Sequence, residues 1–172
     1  MTIANGGTIV YTDIDGLNPS PTPTVDSYYK VHIFTSSGVL EVISGGTVEY
    51  LIVGGGGAGG VYGGGGAGGV LAGTTTLTVG TKPVIVGDGG TPVGSGDPAT
   101  TLPSVGNGGD STFNSLLAHG GGGGVNLGND TVYEWGADGG SGGGAGWTNI
   151  GGTAIVVGGS TLDSQGYDGG EL

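Results

Sequence analysis

The sequence predicts an all-β fold: a small, jelly-roll-like β-sandwich whose glycine-rich loops pack as polyglycine II-type helices. Three observations predict it. Short runs rich in β-branched and aromatic residues recur along the chain, separated by Gly, Ser and Pro. No segment of the 172 residues sustains the 3.6-residue apolar period of a helix. Finally, 48 residues are Gly, and they gather in tracts that also hold apolar residues in register.

Two units are expected along the chain. Residues 1–26 read as an N-terminal docking segment, with one short strand at Thr8–Tyr11 and a Pro-rich loop at Asn18–Thr24. Residues 27–172 read as a single compact glycine-rich β domain. Its first strands are Tyr28–Phe34, Val39–Ile43 and Thr47–Val53. The separators Ser36-Ser37-Gly38 and Ser44-Gly45-Gly46 predict hairpin turns between them. Alternation puts Tyr28, Lys30, His32 and Phe34 on one face, with Tyr29, Val31 and Ile33 on the other. Val70–Leu77 and Val79–Val86 are the next strands, and 87–107 is a turn-rich excursion. Gly108–Phe113 returns to a strand, and Phe113–Leu117 is the one place where a helical turn is expected. Thr131–Trp135 and Thr153–Val157 are the last strands.

The glycines need a physical reason. The 48 Gly and 7 Pro make up about a third of the chain, a share typical of low complexity or disorder. Against that, 34% of the residues are hydrophobic and they cluster in strand-like runs, unlike a disordered chain. Each ordered Gly costs roughly 0.5–1 kcal/mol relative to Ala, so so many persist only where a side chain has no room. The G-X-Y register of collagen is absent. In Gly54–Val70 the unit GGGGAGGV occurs twice, nine residues apart, which is three turns of a three-fold helix. Sorted by threes, one face is Gly54, Gly57, Gly60, Gly63, Gly66 and Gly69. The second is Gly56, Gly59, Tyr62, Gly65 and Gly68. The third is Gly55, Ala58, Val61, Gly64, Ala67 and Val70.

A polyglycine helix has no internal hydrogen bonds, so its N–H and C=O groups must pair with neighbours wherever water is excluded. Bare faces allow that approach, and the reading is a lattice of such helices with the third face outward or against a core. The segment either spans about 50 Å unbroken or bends at Val61–Tyr62 into two antiparallel runs. A flexible linker is the alternative, but linkers carry Ser and charge rather than Ala, Val and Tyr in register. Gly120–Gly124 and Gly139–Gly146 are candidates for further helices.

Charge narrows the partners. Fourteen Asp and Glu face only Lys30 and Lys82, for a net charge of −12. Such a chain cannot neutralise phosphates, so no nucleic acid is expected. Neither anionic lipid nor membrane insertion is expected, since no apolar run approaches the 20 or so residues of a span. With no Cys there is no disulfide scaffold or thiol nucleophile. The N-terminus lacks the basic and apolar regions of a signal peptide.

No cofactor and no catalytic residue is expected. GxGxxG patterns inside Gly54–Gly69 arise in any polyglycine tract, and no helix follows them as dinucleotide binding requires. Asp13, Asp15 and Asn18 resemble the opening of a calcium loop but lack its spacing and terminal Glu, so a solvated turn is the stronger reading and a metal the weaker one. The Asp-Gly steps at Asp88, Asp138 and Asp168 read as turns in the same way. His32, mid-strand, is expected to pack or bond backbone; His119 precedes a glycine run and could cap it. Neither has neighbours suggesting a triad. Tyr62, Tyr133, Trp135, Trp147 and Tyr167 flank glycine tracts. They are candidate contacts for a receptor or protein partner, or else a small core covering the glycine layers.

One stretch carries a family resemblance. YKVHIFTSSGVLEV at Tyr29–Val42, followed by GGTVEYLIVGGGGAGG at Gly45–Gly60, resembles the glycine-rich domain common in bacteriophage tail-fibre and adhesin proteins. GGDSTF at Gly108–Phe113 and the run Gly120–Gly124 follow in the order of that family, and the resemblance spans about 27–146. It implies a virion surface protein, sometimes receptor-binding, with polyglycine helices packed into sandwiches. The chain departs from long fibres in being short, with a distinct Met1–Asp26 and an acidic DGGEL end. The expectation is therefore a non-enzymatic virion surface structural protein: a capsid decoration, neck or short-fibre subunit. It would be assembled in the host cytoplasm, contact other virion proteins and form a homo-oligomer, a trimer first among the alternatives. The second expectation is a tail-fibre tip adhesin recognising a host surface receptor, a glycan or protein. A secreted matrix or filament protein is a third, disfavoured by the missing signal peptide.

Overall fold

The computed structural model describes residues 3–61, 63–92, 106–125, 135–145, 149–150, 153–154 and 158–170. Among them there is no helix; the elements are eleven strands in antiparallel sheets. The first 26 residues supply β1 (Ile3–Asn5) and β2 (Thr8–Thr12). These are followed by β3 (Tyr29–Ile33), β4 (Gly38–Ser44), β5 (Gly46–Val53) and β6 (Val70–Leu77). Then come β7 (Gly80–Ile85), β8 (Ser111–Phe113), β9 (Leu116–Ala118), β10 (Asn149–Ile150) and β11 (Thr153–Ala154). Thr131–Glu134 and Ile155–Val157, parts of two expected strands, lie outside the described residues.

One sheet has five strands in the order β1-β4-β7-β8-β9, and β2-β3, β5-β6 and β10-β11 form three two-stranded ribbons. The expected all-β architecture is thus present, and among the described residues it takes the form of one five-stranded sheet and three ribbons. The core lies where the inner residues of β1, β4 and β6 meet: Ala4, Leu40, Val42 and Leu77, flanked by Phe34, Val48, Val84 and Phe113. Period-two alternation explains the choice. In β4, Leu40 and Val42 point inward while Val39, Glu41 and Ile43 are exposed.

Three local expectations are corrected. The Ser36-Ser37-Gly38 and Ser44-Gly45-Gly46 turns do not close hairpins. β3 pairs with β2, β4 with β1 and β7, and β5 with β6, so each turn carries the chain from one sheet to another. Turn chemistry reports a change of direction and not the partner of the strand that follows. The helical turn expected at Phe113–Leu117 is instead a two-residue β-hairpin. Asn114 and Ser115 both take positive φ, 48° and 67°, the geometry whose twist suits tight hairpins. β1, too short to show a period, was not expected as a strand; it enters the five-stranded sheet and buries Ala4.

β3 shows the expected alternation, with its polar face inward. Lys30 Nζ donates to the Ala4 carbonyl at 2.6 Å, and His32 Nδ1 lies 2.7 Å from the Gly6 carbonyl oxygen. Tyr29, Val31 and Ile33 are left exposed. The two polar side chains tie the β1–β2 connection to the neighbouring ribbon, because backbone carbonyls near a turn need donors once they lose solvent.

Candidate functional site

The β5–β6 ribbon organises the distinctive part of the molecule. Its eight strand pairs run from Gly46 opposite Leu77 to Val53 opposite Val70. The hairpin does not end there. Gly54 N–H donates to Gly69 C=O, Gly57 to Gly66, and Gly60 to Gly63, at 2.8–2.9 Å. The strand register therefore continues into two antiparallel glycine runs, 54–60 and 63–69. Of the two conformations open to Gly54–Val70, the bent one is adopted. Tyr62 itself lies outside the described residues. The bonds recur every third residue, the repeat of a polyglycine helix.

Each run then pairs sideways on its other faces. Gly63, Gly66 and Gly69 donate to the carbonyls of Val125, Gly122 and His119, so 119–125 lies antiparallel to the second run. Gly121 and Gly124 of that segment donate to Gly55 and Ala58, parallel to the first run. Ser141 and Gly144 donate to Ala67 and Gly64. Gly55 and Ala58 donate to Gly109 and Gly106, and Gly90 donates to Gly56. At the far side Gly142 and Ala145 donate to Tyr167 and Gly170. The result is a lattice in which each helix satisfies the backbone of the next.

The sterics explain the residue choice. A Cβ on Gly54, Gly57 or Gly60 would overlap the carbonyl oxygen of His119, Gly122 or Val125. One on Gly63 or Gly66 would overlap that of Gly144 or Ser141, and one on Gly69 would press on the Gln165 side chain. None of these six needs a positive φ; close approach alone excludes a side chain. The third face divides between the two runs. Ala58 is buried against Gly106, whereas Ala67 is exposed.

Sequence reasoning found 120–124 and 139–146 as lattice candidates but read 87–107 as an excursion. The structure places Gly87–Gly90 and Gly106–Gly109 in the lattice, with Gly158, Gly159 and Gly169 beyond them. The available signal was the Asp or Asn beside most of the short Gly pairs, as at Asp88, Asn107, Asp138 and Asp168. These side chains pin runs at their ends. Asn107 Oδ1 accepts from Gly123 N–H and Asp110 Oδ1 from Gly120 N–H, both at 2.8 Å. Asp138 Oδ1 accepts from Ser160 and Asp168 Oδ1 from Thr161, both at 2.6 Å. Asp138 and Asp168, read as solvated turns, are lattice pins. Gln165 does the same work with both ends of its amide: Oε1 accepts from His119 N–H and Nε2 donates to Leu117 C=O. His119 sits between two carboxylates, with Nε2 3.0 Å from Asp163 and Nδ1 3.6 Å from Asp110.

The remaining candidates are not brought together. Trp135 and Tyr167 are 55% and 85% exposed, so neither covers a glycine layer as a core residue. Tyr133 and Trp147, like Tyr62, lie outside the described residues. Asp13 Oδ2 accepts from the Asn18 side chain at 2.7 Å, and Oδ1 from the N–H groups of Leu17 and Asp15. Its carboxylate thus closes a turn, and among the described residues no three His, Asp or Glu converge as metal ligands would. The Asn18 amide, with the Leu17 and Asp15 N–H groups behind it, holds the Asp13 carboxyl below its ordinary pKa. A depressed carboxylate pKa stabilises the loop above the free-aspartate value and loses that effect as pH falls through the lowered one. The Asn18 side-chain amide signal in NMR should therefore titrate with a midpoint below about pH 3.9, the value for aspartate in water. A midpoint at or above that pH would contradict the assignment.

No helix among the described residues is long and apolar enough to cross a membrane. What the site offers chemically is a backbone hydrogen-bonding lattice, pinned at its run ends by carboxylates, on which Trp135 and Tyr167 stand exposed. The comparisons agree with this picture at family level. Residues 35–172 match the family model described as a glycine-rich domain, and the chain belongs to that family. No curated protein and no solved structure matches it.

Proposed function

We propose that this member of the glycine-rich domain family is a non-enzymatic structural protein of a bacteriophage virion surface: a capsid decoration, neck or short-fibre subunit. The observation that carries the reading is the lattice itself. Segments from 54 to 170 pair chiefly through backbone hydrogen bonds, with the side chains of Asn107, Asp110, Asp138, Asp168 and Gln165 holding run ends, so the later part of the chain is a stiff body that holds its shape without a large apolar core. The resemblance at Tyr29–Gly60 to phage tail-fibre and adhesin domains supports the proposed location. In this reading the protein binds other virion proteins, forms a homo-oligomer with a trimer as the first expectation, and uses its −12 charge to keep particles dispersed. It takes no cofactor, nucleic acid or membrane.

A second reading, a receptor-binding tip adhesin for a host glycan or protein, is favoured by one observation. Trp135 and Tyr167 stand exposed on lattice segments, where a rigid backing would present them to a ligand. Copy number separates the two. Gel densitometry of purified virions should find many copies per particle for a decoration protein. Few copies, together with binding of the purified protein to host cells, would select the adhesin. Absence from virions would end both.

A further inference from the structure

We propose that residues 160–170 form a strap whose hold on the glycine lattice is set by the proton on His119. The inference goes beyond the function proposed above and does not depend on it. The strap crosses several runs. Leu162 N–H donates to Gly139 C=O, Val70 N–H to Gln165 C=O, and Gly142 N–H to Tyr167 C=O. Its turn is 162–165, closed by a bond from Gln165 N–H to Leu162 C=O. Asp163 and Ser164 there take φ of 51° and 55°, a left-handed conformation that residues with side chains hold only where the surroundings maintain it. Contacts around the turn are therefore what fix it.

Those contacts converge on His119. Its N–H donates to Gln165 Oε1 at 2.8 Å, and its carbonyl accepts from Gly69 N–H. Its ring stands between two carboxylates. Asp163 comes from the turn to Nε2 at 3.0 Å, and Asp110 from the 106–110 run to Nδ1 at 3.6 Å. β6, β9 and Gln165 bring no charge to the ring, and among the described residues no other carboxylate comes within ion-pair distance of it. The His119 side chain is 18% exposed and that of Asp163 is 74% exposed. The body of the molecule thus holds the ring, and the strap brings the partner.

A neutral imidazole has one N–H, so it serves one of these carboxylates and turns a lone pair toward the other. A protonated ring presents an N–H to each and adds the positive charge that attracts both. No other cation is at hand. The strap carries Asp163 and Asp168 and no basic residue. Lys30 and Lys82, the only lysines of a chain without Arg, bond the Ala4 carbonyl and the Thr78 hydroxyl. The sign follows from the ring. As pH falls through the histidine range, about pH 8 to 5, the proton binds and the strap tightens; as pH rises through it, the strap loosens. Tyr167 rides on the strap at 85% exposure, so the same proton fixes where that aromatic is presented.

The test is amide hydrogen exchange on the full chain at about pH 5.5 and about pH 8, with rates corrected for the chemical effect of pH. The amides of Val70, His119 and Gly142 donate into the strap. They should be about two- to fivefold more protected at the lower pH, in keeping with the modest worth of partly exposed ion pairs. Gly57 and Gly124, bonded elsewhere in the lattice, should not change. His119→Gln should abolish the difference. Asp163→Asn keeps the turn, since Asn takes the left-handed conformation as Asp does, and should remove most of the difference. If His119→Gln fails to fold, Asp163→Asn alone decides. Equal protection of the strap amides at both pH values in the wild type overturns the proposal, as does a difference that Asp163→Asn leaves intact. A change of the same size at Gly57 and Gly124 would place the effect on the whole lattice and not on the strap, and would equally overturn it.

Discussion

Gly57→Ala and Gly66→Ala should each destabilise the protein by about 3 kcal/mol or more, while Gly56→Ala leaves it unchanged or slightly more stable. The contrast follows from where the methyl group would go. On Gly57 it overlaps the carbonyl of Gly122, and on Gly66 that of Ser141. Both obstacles are backbone, so no rotamer change relieves the overlap. The run must move, and moving it breaks the bond from Gly57 to Gly66 and the one from Gly66 to Gly122. Overpacking costs about 1–3 kcal/mol and each buried backbone group left unpaired about the same again. Gly56, one residue away with the same chemistry, has its nearest neighbour 4.0 Å from the added carbon. There the smaller conformational freedom of alanine in the unfolded chain favours folding by about 0.4–1 kcal/mol. Melting temperature checks both arms, with about 2–4 °C expected per kcal/mol for a chain of this length. Equal effects at Gly56 and Gly57 would mean that crowding does not explain the glycines.

Leu77→Ala should have a comparable effect, a loss of about 3 kcal/mol and roughly 6–12 °C in melting temperature. Leu77 is 2% exposed and ends β6, where it joins Val42, Leu40 and Ala4. The core has few members, so the cavity left by three carbons cannot be refilled by a nearby large side chain. The position also sits at the base of the ribbon whose register the glycine runs inherit, with Gly46 opposite it. Hydrogen exchange on Leu77→Ala should show faster exchange at Gly57 and Gly66 as well as in the strands. Fast exchange confined to β4 and β6, with the glycine amides still protected, would mean that the lattice holds itself together without the ribbon.

Much of this was legible in the residues. Strands β2 to β7 were located within about two residues, because alternating β-branched residues in a half-buried sheet leave a period-two pattern. The three-fold sorting of Gly54–Val70 picked out Gly54, Gly57, Gly60, Gly63, Gly66 and Gly69 as a row crowded throughout, but it put Gly56 and Gly59, which meet no close neighbour, on one face with Gly65 and Gly68, which do. The hairpin at Asn114-Ser115 was not legible. Phe113–Leu117 is too short for any period to show, and positive φ at two residues other than Gly is set by the pairing of β8 with β9 and not by local preference. The lattice pins were missed for a related reason. An Asp in a turn-like stretch has the same appearance whether it closes a local turn, as Asp13 does, or reaches a chain segment 22 residues away, as Asp138 does.

The amino-acid order alone settled that the chain is all β, that its glycines answer to a three-residue repeat, and that it carries a net charge of −12. Each of these is a property of one segment or of the whole composition, and needs no knowledge of neighbours. Which strand lies beside which, and which glycine run beside which, was decided only on folding. A run without side chains presents the same N–H and C=O groups at every position, so nothing in it selects a partner or a register. That selection comes from the β5–β6 ribbon, whose side chains do have one best alignment, and from the Asn107, Asp110, Asp138 and Gln165 bonds that hold each run at its end.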